Sequence, residues 1–182
     1  PVVKICWNEI LFTTFAKIII FNSDFQISWI MWSKEEAKEL RVKFWSGFKR
    51  YCYKHRIDRR WVLTGVKIKS VQLKFYADTQ KALVMFQIDH KNALTRYKVY
   101  ETFLSYRKLM AETCGEELRW EEDYFGVGER PVSAIYFELS GVDMYREEDW
   151  DKIYAFFAEK MVLLEEAYWE YRDLINERLK AE

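Results

Sequence analysis

A stretch of thirty residues without proline or glycine closes the chain, and it constrains the fold more than any other feature. From Trp150 to Leu179, apolar residues recur in two sets with a spacing of seven: Trp150, Phe157, Leu164, Tyr171 and Tyr154, Met161, Tyr168, Ile175. Four heptads predict one helix, about 45 Å long. We expect its first half to pack on a sheet and its far end to overhang or meet a partner. This predicts a homodimer surface formed by Leu164, Tyr168, Tyr171 and Ile175.

A second helix is predicted near the start. Ser33-Lys34-Glu35-Glu36 is typical of a capping box, in which the serine hydroxyl and the third helical residue satisfy each other's backbone N–H. Apolar residues then recur at three- and four-residue spacing, which predicts a helix of roughly five turns. They are Ala37, Leu40, Phe44, Phe48 and Tyr51.

In the middle of the chain, the sequence predicts two pairs of strands with a helix between them. Residues 66–75 alternate like a strand, with a change of phase at Lys69-Ser70 that suggests a bulge, and residues 82–88 resemble a strand covered on both faces. A helix over 92–114 is predicted to start at Asn92, stop at Gly115 and bury Leu94, Tyr97, Phe103, Leu104 and Met110. Strands at 118–124 and 132–139 then flank a loop. The order helix, hairpin, helix, hairpin, long helix predicts an α+β fold with a mainly antiparallel sheet.

The first thirty residues differ from the rest. Met31 directly precedes the capping box, so we interpret it as the native start, residues 1–30 as a non-core or read-through segment, and 31–182 as a single α+β domain. The alternative is a real N-terminal strand or helix. The apolar run from Ile10 to Phe21 is too short for a membrane span and contains Lys17, so no membrane association is predicted.

Residue usage excludes several classes of enzyme. The three cysteines lack CxxC spacing, which argues against a disulfide framework and favours the cytoplasm. The chain has two histidines and neither an HExxH nor a GxSxG motif, so it lacks the residues that zinc-dependent and serine hydrolases require. We therefore predict no cofactor and no metal site.

Charge is unevenly distributed although it sums to zero. Residues 1–115 hold 21 Lys and Arg against 10 Asp and Glu, and residues 116–182 hold 8 against 19, so the two parts carry +11 and −11. One interpretation is a basic face for an acidic partner. The other, which we place slightly ahead, is a pair of complementary surfaces that meet within the chain or between chains.

A basic and aromatic cluster is the first candidate site. Cations that could neutralise phosphates alternate with rings that could stack on bases. Its members are Lys49, Arg50, Lys54, Arg56, Arg59, Arg60 and Trp61, with Tyr51, Tyr53 and His55 among them. The alternative is a solvated helix end whose cations complement the helix dipole.

Asp89-His90-Lys91 is the second candidate. An acid-x-Lys pattern after a central strand is similar to that of nucleases that hold a metal with carboxylates and position water with lysine, so Asp89 and Lys91 are weak catalytic candidates. Asp78, the nearest upstream acid, should lie at the opposite end of the strand. A role for Asp89 at the helix entry is the alternative.

Several short motifs resemble a bacterial family, domain-of-unknown-function family 4268, over about residues 31–180. They are Met31-Trp32-Ser33-Lys34-Glu35-Glu36-Ala37, Phe44-Trp45, Ile88-Asp89-His90-Lys91, Gly115-Glu116-Glu117-Leu118-Arg119-Trp120-Glu121 and Glu148-Asp149-Trp150. The family has no settled activity and also occurs behind nuclease-like domains, so the resemblance implies a link to DNA restriction or repair.

The function predicted from the sequence is therefore a non-enzymatic interaction module with a nucleic-acid or protein partner, accessory to nucleic-acid processing. The alternative is a metal-dependent nuclease.

Overall fold

The computed structural model describes residues 33–57, 61, 68–125 and 130–181. These residues form four α-helices, four β-strands and a short 3-10 helix, which confirms the α+β class. The elements are α1 (Lys34–Lys54), β1 (Val71–Ala77), β2 (Lys81–Ile88), α2 (Ala93–Leu104), α3 (Arg107–Cys114), β3 (Arg119–Tyr124), β4 (Val132–Ser140), the 3-10 helix (Glu147–Asp149) and α4 (Trp150–Ala181). The chain divides into two units between Lys43 and Phe44. The predicted segment 1–30 lies outside the described residues.

The beginning of α1 has the predicted capping box. The Ser33 backbone N–H donates to Glu36 Oε2 at 2.9 Å, and the Glu36 N–H donates to Ser33 Oγ at 3.2 Å. Two of the N–H groups that a helix start leaves without partners are thereby satisfied.

A four-stranded antiparallel sheet, with strand order β1-β2-β4-β3, occupies the middle of the fold. In β2, seven consecutive residues from Ala82 to Ile88 are buried. Because successive side chains of a strand point to opposite faces, this unbroken run confirms the prediction of a strand covered on both faces.

Alternate residues of β2 face opposite sides. Phe86 lies 5.5 Å from the Phe103 ring of α2 and 6.4 Å from the Tyr168 ring of α4, on the helical side. Met85 and Leu83 belong to a buried cluster on the other side with Tyr124, Val132, Ala134 and Tyr136. The sheet therefore contributes to two apolar layers.

The heptads of α4 are all buried, although only the first half of the helix was expected to pack on the sheet. The eight residues are at most 7% exposed. The expected overhang of the far end is wrong, because Leu164, Tyr168, Tyr171 and Ile175 are buried within the chain itself. Tyr171 shows why: α3 lies over this half of α4, and the Tyr171 hydroxyl is 2.8 Å from Thr113 Oγ1. These four side chains are not available to form the predicted dimer surface.

The helix predicted over 92–114 is two helices. Asn92 is the cap, its side chain accepting from the Thr95 N–H at 3.2 Å, and Gly115 ends α3 with a φ of 70°. Between them the Ser105 hydroxyl donates to the Thr102 carbonyl at 2.7 Å, a local bond that competes with helix continuation. The break redirects α3 along α4.

The bulge expected at Lys69-Ser70 is a turn. Ser70 has a φ of 70°, its carbonyl accepts from the Asp89 N–H at 2.8 Å, and β1 begins only at Val71. Residues 66 and 67 of the predicted strand lie outside the described part. A register shift occurs instead in β3, between Glu121 and Tyr124.

Candidate functional site

The C-terminal end of α1 has a backbone conformation that is unusual for its sequence. The Ile57 N–H donates to the Cys52 carbonyl at 2.9 Å, and the Arg56 N–H donates to the Tyr53 carbonyl at 3.1 Å. This pair of bonds is a Schellman motif, in which the residue after the helix cap is usually glycine. Arg56 holds that position with a φ of 55°.

Four cations project from this helix end into solvent. Lys49, Arg50, Lys54 and Arg56 are all exposed. Within the described part of the chain, none of the four forms an ion pair. The primary structure explains this in part, because no Asp or Glu occurs between Glu39 and Asp58. Arg59 and Arg60 of the predicted cluster lie outside the described residues.

The aromatic residues of the cluster separate into surface and core. Tyr53 is 89% exposed, whereas Trp61 is only 8% exposed. The Trp61 ring stacks on Phe48 at 6.0 Å, and its indole N–H donates to Glu165 Oε2 at 3.0 Å. Trp61 thus belongs to the core in this structure and offers no free ring face, although the sequence favoured it as a stacking residue.

A shallow depression of about 520 Å³ lies at the same helix end. Its lining includes Cys52, Tyr53, Lys54, Arg56 and Ile57. Burial raises the pKa of the Cys52 thiol, which favours the neutral thiol at this position. The depression therefore presents cations and an aromatic ring, with no thiolate to offset the charge.

The end of β2 carries the second predicted site. Asp89 forms an ion pair with Arg130, whose Nη2 donates to Asp89 Oδ1 at 2.7 Å. Lys91 is exposed, and the Asn92 N–H donates to His90 Nδ1 at 3.1 Å. The structure thus gives Asp89 a cationic neighbour that the sequence did not predict, since Arg130 is 41 residues away along the chain.

Asp78 lies at the opposite end of β2, as expected. Its Oδ1 accepts from the Gln80 N–H at 2.7 Å and the Lys81 N–H at 2.9 Å, so the carboxylate closes the turn between β1 and β2. Among the described residues, no three His, Cys, Asp or Glu side chains converge in a way that could hold a metal ion.

A buried arginine was missed in the sequence. Arg96 of α2 is 2% exposed and donates through Nη1 to the Glu122 carbonyl at 2.8 Å and to Ser133 Oγ at 3.3 Å. Its Nη2 pairs with Asp123, and this hydrogen bond is the main cause of the lowered pKa of Asp123. Because these partners of Arg96 include two residues of β3, the side chain joins α2 to this irregular strand.

Comparison with known proteins places the chain in a family. Residues 40–172 match the model of the family described as Domain of unknown function (DUF4268), so the chain belongs to that family. No curated protein and no solved structure is significantly similar to it. Within the described residues, no helix has the length and apolar character needed to cross a membrane.

Proposed function

We propose that this domain is a non-enzymatic nucleic-acid-binding module that contacts the phosphate backbone through the C-terminal end of α1. The observation that carries the proposal is the set of four exposed cations that have no carboxylate partner among the described residues. Unpaired lysines and arginines clustered on one surface are the usual electrostatic footprint of nucleic-acid binding, because each can neutralise a phosphate and release its counterion.

A favourable interaction with the helix dipole does not explain Lys49 and Arg50. The dipole acts within the last turn of a helix, where it contributes about 0.3–1 kcal/mol per charge. Lys54 is the basic residue in the last turn of α1, whereas Lys49 and Arg50 lie one turn earlier. Their presence therefore needs a different explanation, and an anionic ligand supplies one.

The conformation of Arg56 supports the same conclusion. A non-glycine residue in the left-handed region costs roughly 1–2 kcal/mol. Strain of this kind is concentrated at functional sites, where the side chain is needed more than the stability. At this position the guanidinium adds a fourth cation beside Lys54 and lines the depression.

The proposal is tested by measuring retention of a labelled DNA oligonucleotide over a salt series. Binding should weaken steeply as salt rises, since most of the affinity would come from phosphate contacts. Replacing Lys49, Arg50, Lys54 and Arg56 with glutamine should weaken binding for all sequences and flatten the dependence of log affinity on log salt.

A matched control removes four exposed cations from other helices. The control residues are Arg107, Lys108, Lys152 and Lys180. Because this variant has the same net charge as the α1 variant, it separates a local contact from a general charge effect. Equal weakening by both variants, or no retention at low salt, would contradict the proposal.

The family resemblance supports a role beside enzymes of DNA restriction or repair, in which this domain would hold the nucleic acid while another domain reacts with it. A cytoplasmic location fits that role. The cysteine spacing, which suggests no disulfide framework, is consistent with it.

A further inference from the structure

The most exposed aromatic ring among the described residues stands inside the cationic surface. Tyr53 is 89% exposed, and its ring contacts no other described ring. The exposed tryptophans, in contrast, are partly covered: Trp45 stacks on Phe157 at 5.9 Å, and Trp169 lies under the Arg172 guanidinium at 4.3 Å. Tyr53 thus offers a free ring face.

The helical spacing places cations next to that ring. Lys49 and Arg50 precede Tyr53 by four and three residues, and positions with these spacings are neighbours on a helix surface. Lys54 and Arg56 line the depression on which Tyr53 also borders. A strand whose phosphates contact these cations would therefore carry its bases past the tyrosine.

We propose that Tyr53 is a stacking platform for an unpaired base, so that the ligand of this surface is single-stranded nucleic acid. This inference rests on the proposed function. The bases of a duplex are already stacked on each other and present only their edges in the grooves. An exposed ring can stack on a base only when that base is free, and such stacking tolerates any sequence because every base has a π face.

The inference is tested with three probes of about 12 nucleotides: oligothymidylate, the abasic strand of equal length, and a duplex. The unmodified protein should bind oligothymidylate more tightly than either of the others. Tyr53→Ala should reduce affinity for oligothymidylate by about 10-fold. It should leave binding of the abasic strand unchanged, because no base is present to stack.

Tyr53→Phe is the matched variant, since it keeps the ring and removes only the hydroxyl; it should retain the affinity for oligothymidylate. The salt dependence should be the same for Tyr53→Ala and the unmodified protein, because no phosphate contact is lost. The high exposure of Tyr53 means that these substitutions should not disturb folding, which the melting temperature would verify.

The outcomes separate the two proposals. If the protein binds all three probes equally and Tyr53→Ala changes none of the affinities, the stacking inference is wrong while phosphate binding stands. If no probe is retained at low salt, both are wrong.

Discussion

Arg56 allows stability and binding to be measured at one position. Arg56→Gly removes the Cβ from a left-handed backbone and is expected to raise the free energy of unfolding by about 1 kcal/mol. The same change should weaken binding of DNA, since a phosphate contact is lost. Chemical denaturation and oligonucleotide retention measure the two effects.

Lys54→Gly is the control for Arg56→Gly. It removes the same charge at the same helix end, but Lys54 has helical backbone geometry. Glycine there should lower the free energy of unfolding, by up to about 1 kcal/mol. If Arg56→Gly destabilises the protein as Lys54→Gly does, the left-handed conformation carries no strain.

Asp123 gives a prediction about pH. The hydrogen bond from Arg96 lowers the pKa of this carboxyl below the usual range for an aspartate. Because the pKa of the carboxyl is lower in the folded than in the unfolded protein, the ionised group stabilises the fold at any pH above the unfolded-state pKa. This stabilisation is lost as the pH falls through the folded-state pKa. Asp123→Asn should therefore lower the free energy of unfolding at neutral pH, and the difference should narrow in acid.

Urea denaturation of both proteins from neutral pH down to about pH 3 would measure this difference. Asp173→Asn, at an exposed site on α4, should change stability little across the range. A difference between Asp123→Asn and the unmodified protein that stays constant with pH would contradict the assignment.

At the scale of elements, the contact between α1 and α4 depends on a glycine. A Cβ added to Gly47 would lie too close to the Tyr154 hydroxyl and 3.1 Å from Tyr154 Cζ. That hydroxyl is fixed, because it donates to the Phe44 carbonyl at 2.7 Å. Glycine to alanine inside a helix is normally stabilising. Here we expect Gly47→Ala to destabilise the fold by about 1–3 kcal/mol.

Tyr154→Phe tests the cause of that effect in a double-mutant cycle. Without the hydroxyl the closest obstacle is gone, so Gly47→Ala should cost less in the Tyr154→Phe background than in the unmodified protein. Equal costs in both backgrounds would mean that the ring itself, or a shift of the helix, determines the effect.

Local sequence patterns predicted where the helices and strands lie better than they predicted which side of each helix is buried. The heptads of α4 and the caps at Ser33 and Asn92 depend on neighbours within a few residues, so the sequence shows them directly. The prediction of the buried face of α2 was only partly right. Phe103 is buried as expected, but Leu94 is 78% exposed and Arg96 is buried instead. An apolar pattern cannot show that Ser133 and the Glu122 carbonyl satisfy this arginine.

The same limit applies to the candidate site. The cluster was recognisable because its cations lie close together in the sequence. The sequence did not show that Tyr53 is exposed and Trp61 buried, because Trp61 contacts residues as distant in the sequence as Glu165, 104 positions away. Long-range contacts of this kind decide which ring faces solvent.

The whole molecule pairs part of its charge internally. Three cations from the basic part of the sequence meet carboxylates from the acidic part: Lys81 with Glu138, Arg96 with Asp123 and Arg107 with Glu117. These pairs fit the interpretation that the two parts complement each other within the chain. Among the residues that the structure describes, the cations at the end of α1 form no such pairs, so a protein with zero net charge still presents a cationic surface there.

The two apolar layers of the sheet predict how the molecule unfolds as a whole. Met85 and Phe86 are neighbours on β2, face opposite sides and are both fully buried. Met85→Ala should cost about 2–5 kcal/mol and Phe86→Ala about 3–5 kcal/mol, because each leaves a cavity. Since one internal strand joins both layers, either variant should shift a single cooperative transition.

Circular dichroism and tryptophan fluorescence would follow that transition in urea, and their curves should coincide for the unmodified protein and both variants. If Met85→Ala instead produced a separate early transition while Phe86→Ala moved the main one, the layer around Met85 would be opening independently of the helical side. The sheet would then be a boundary between two cooperative units, and the expectation of one unfolding unit would be wrong.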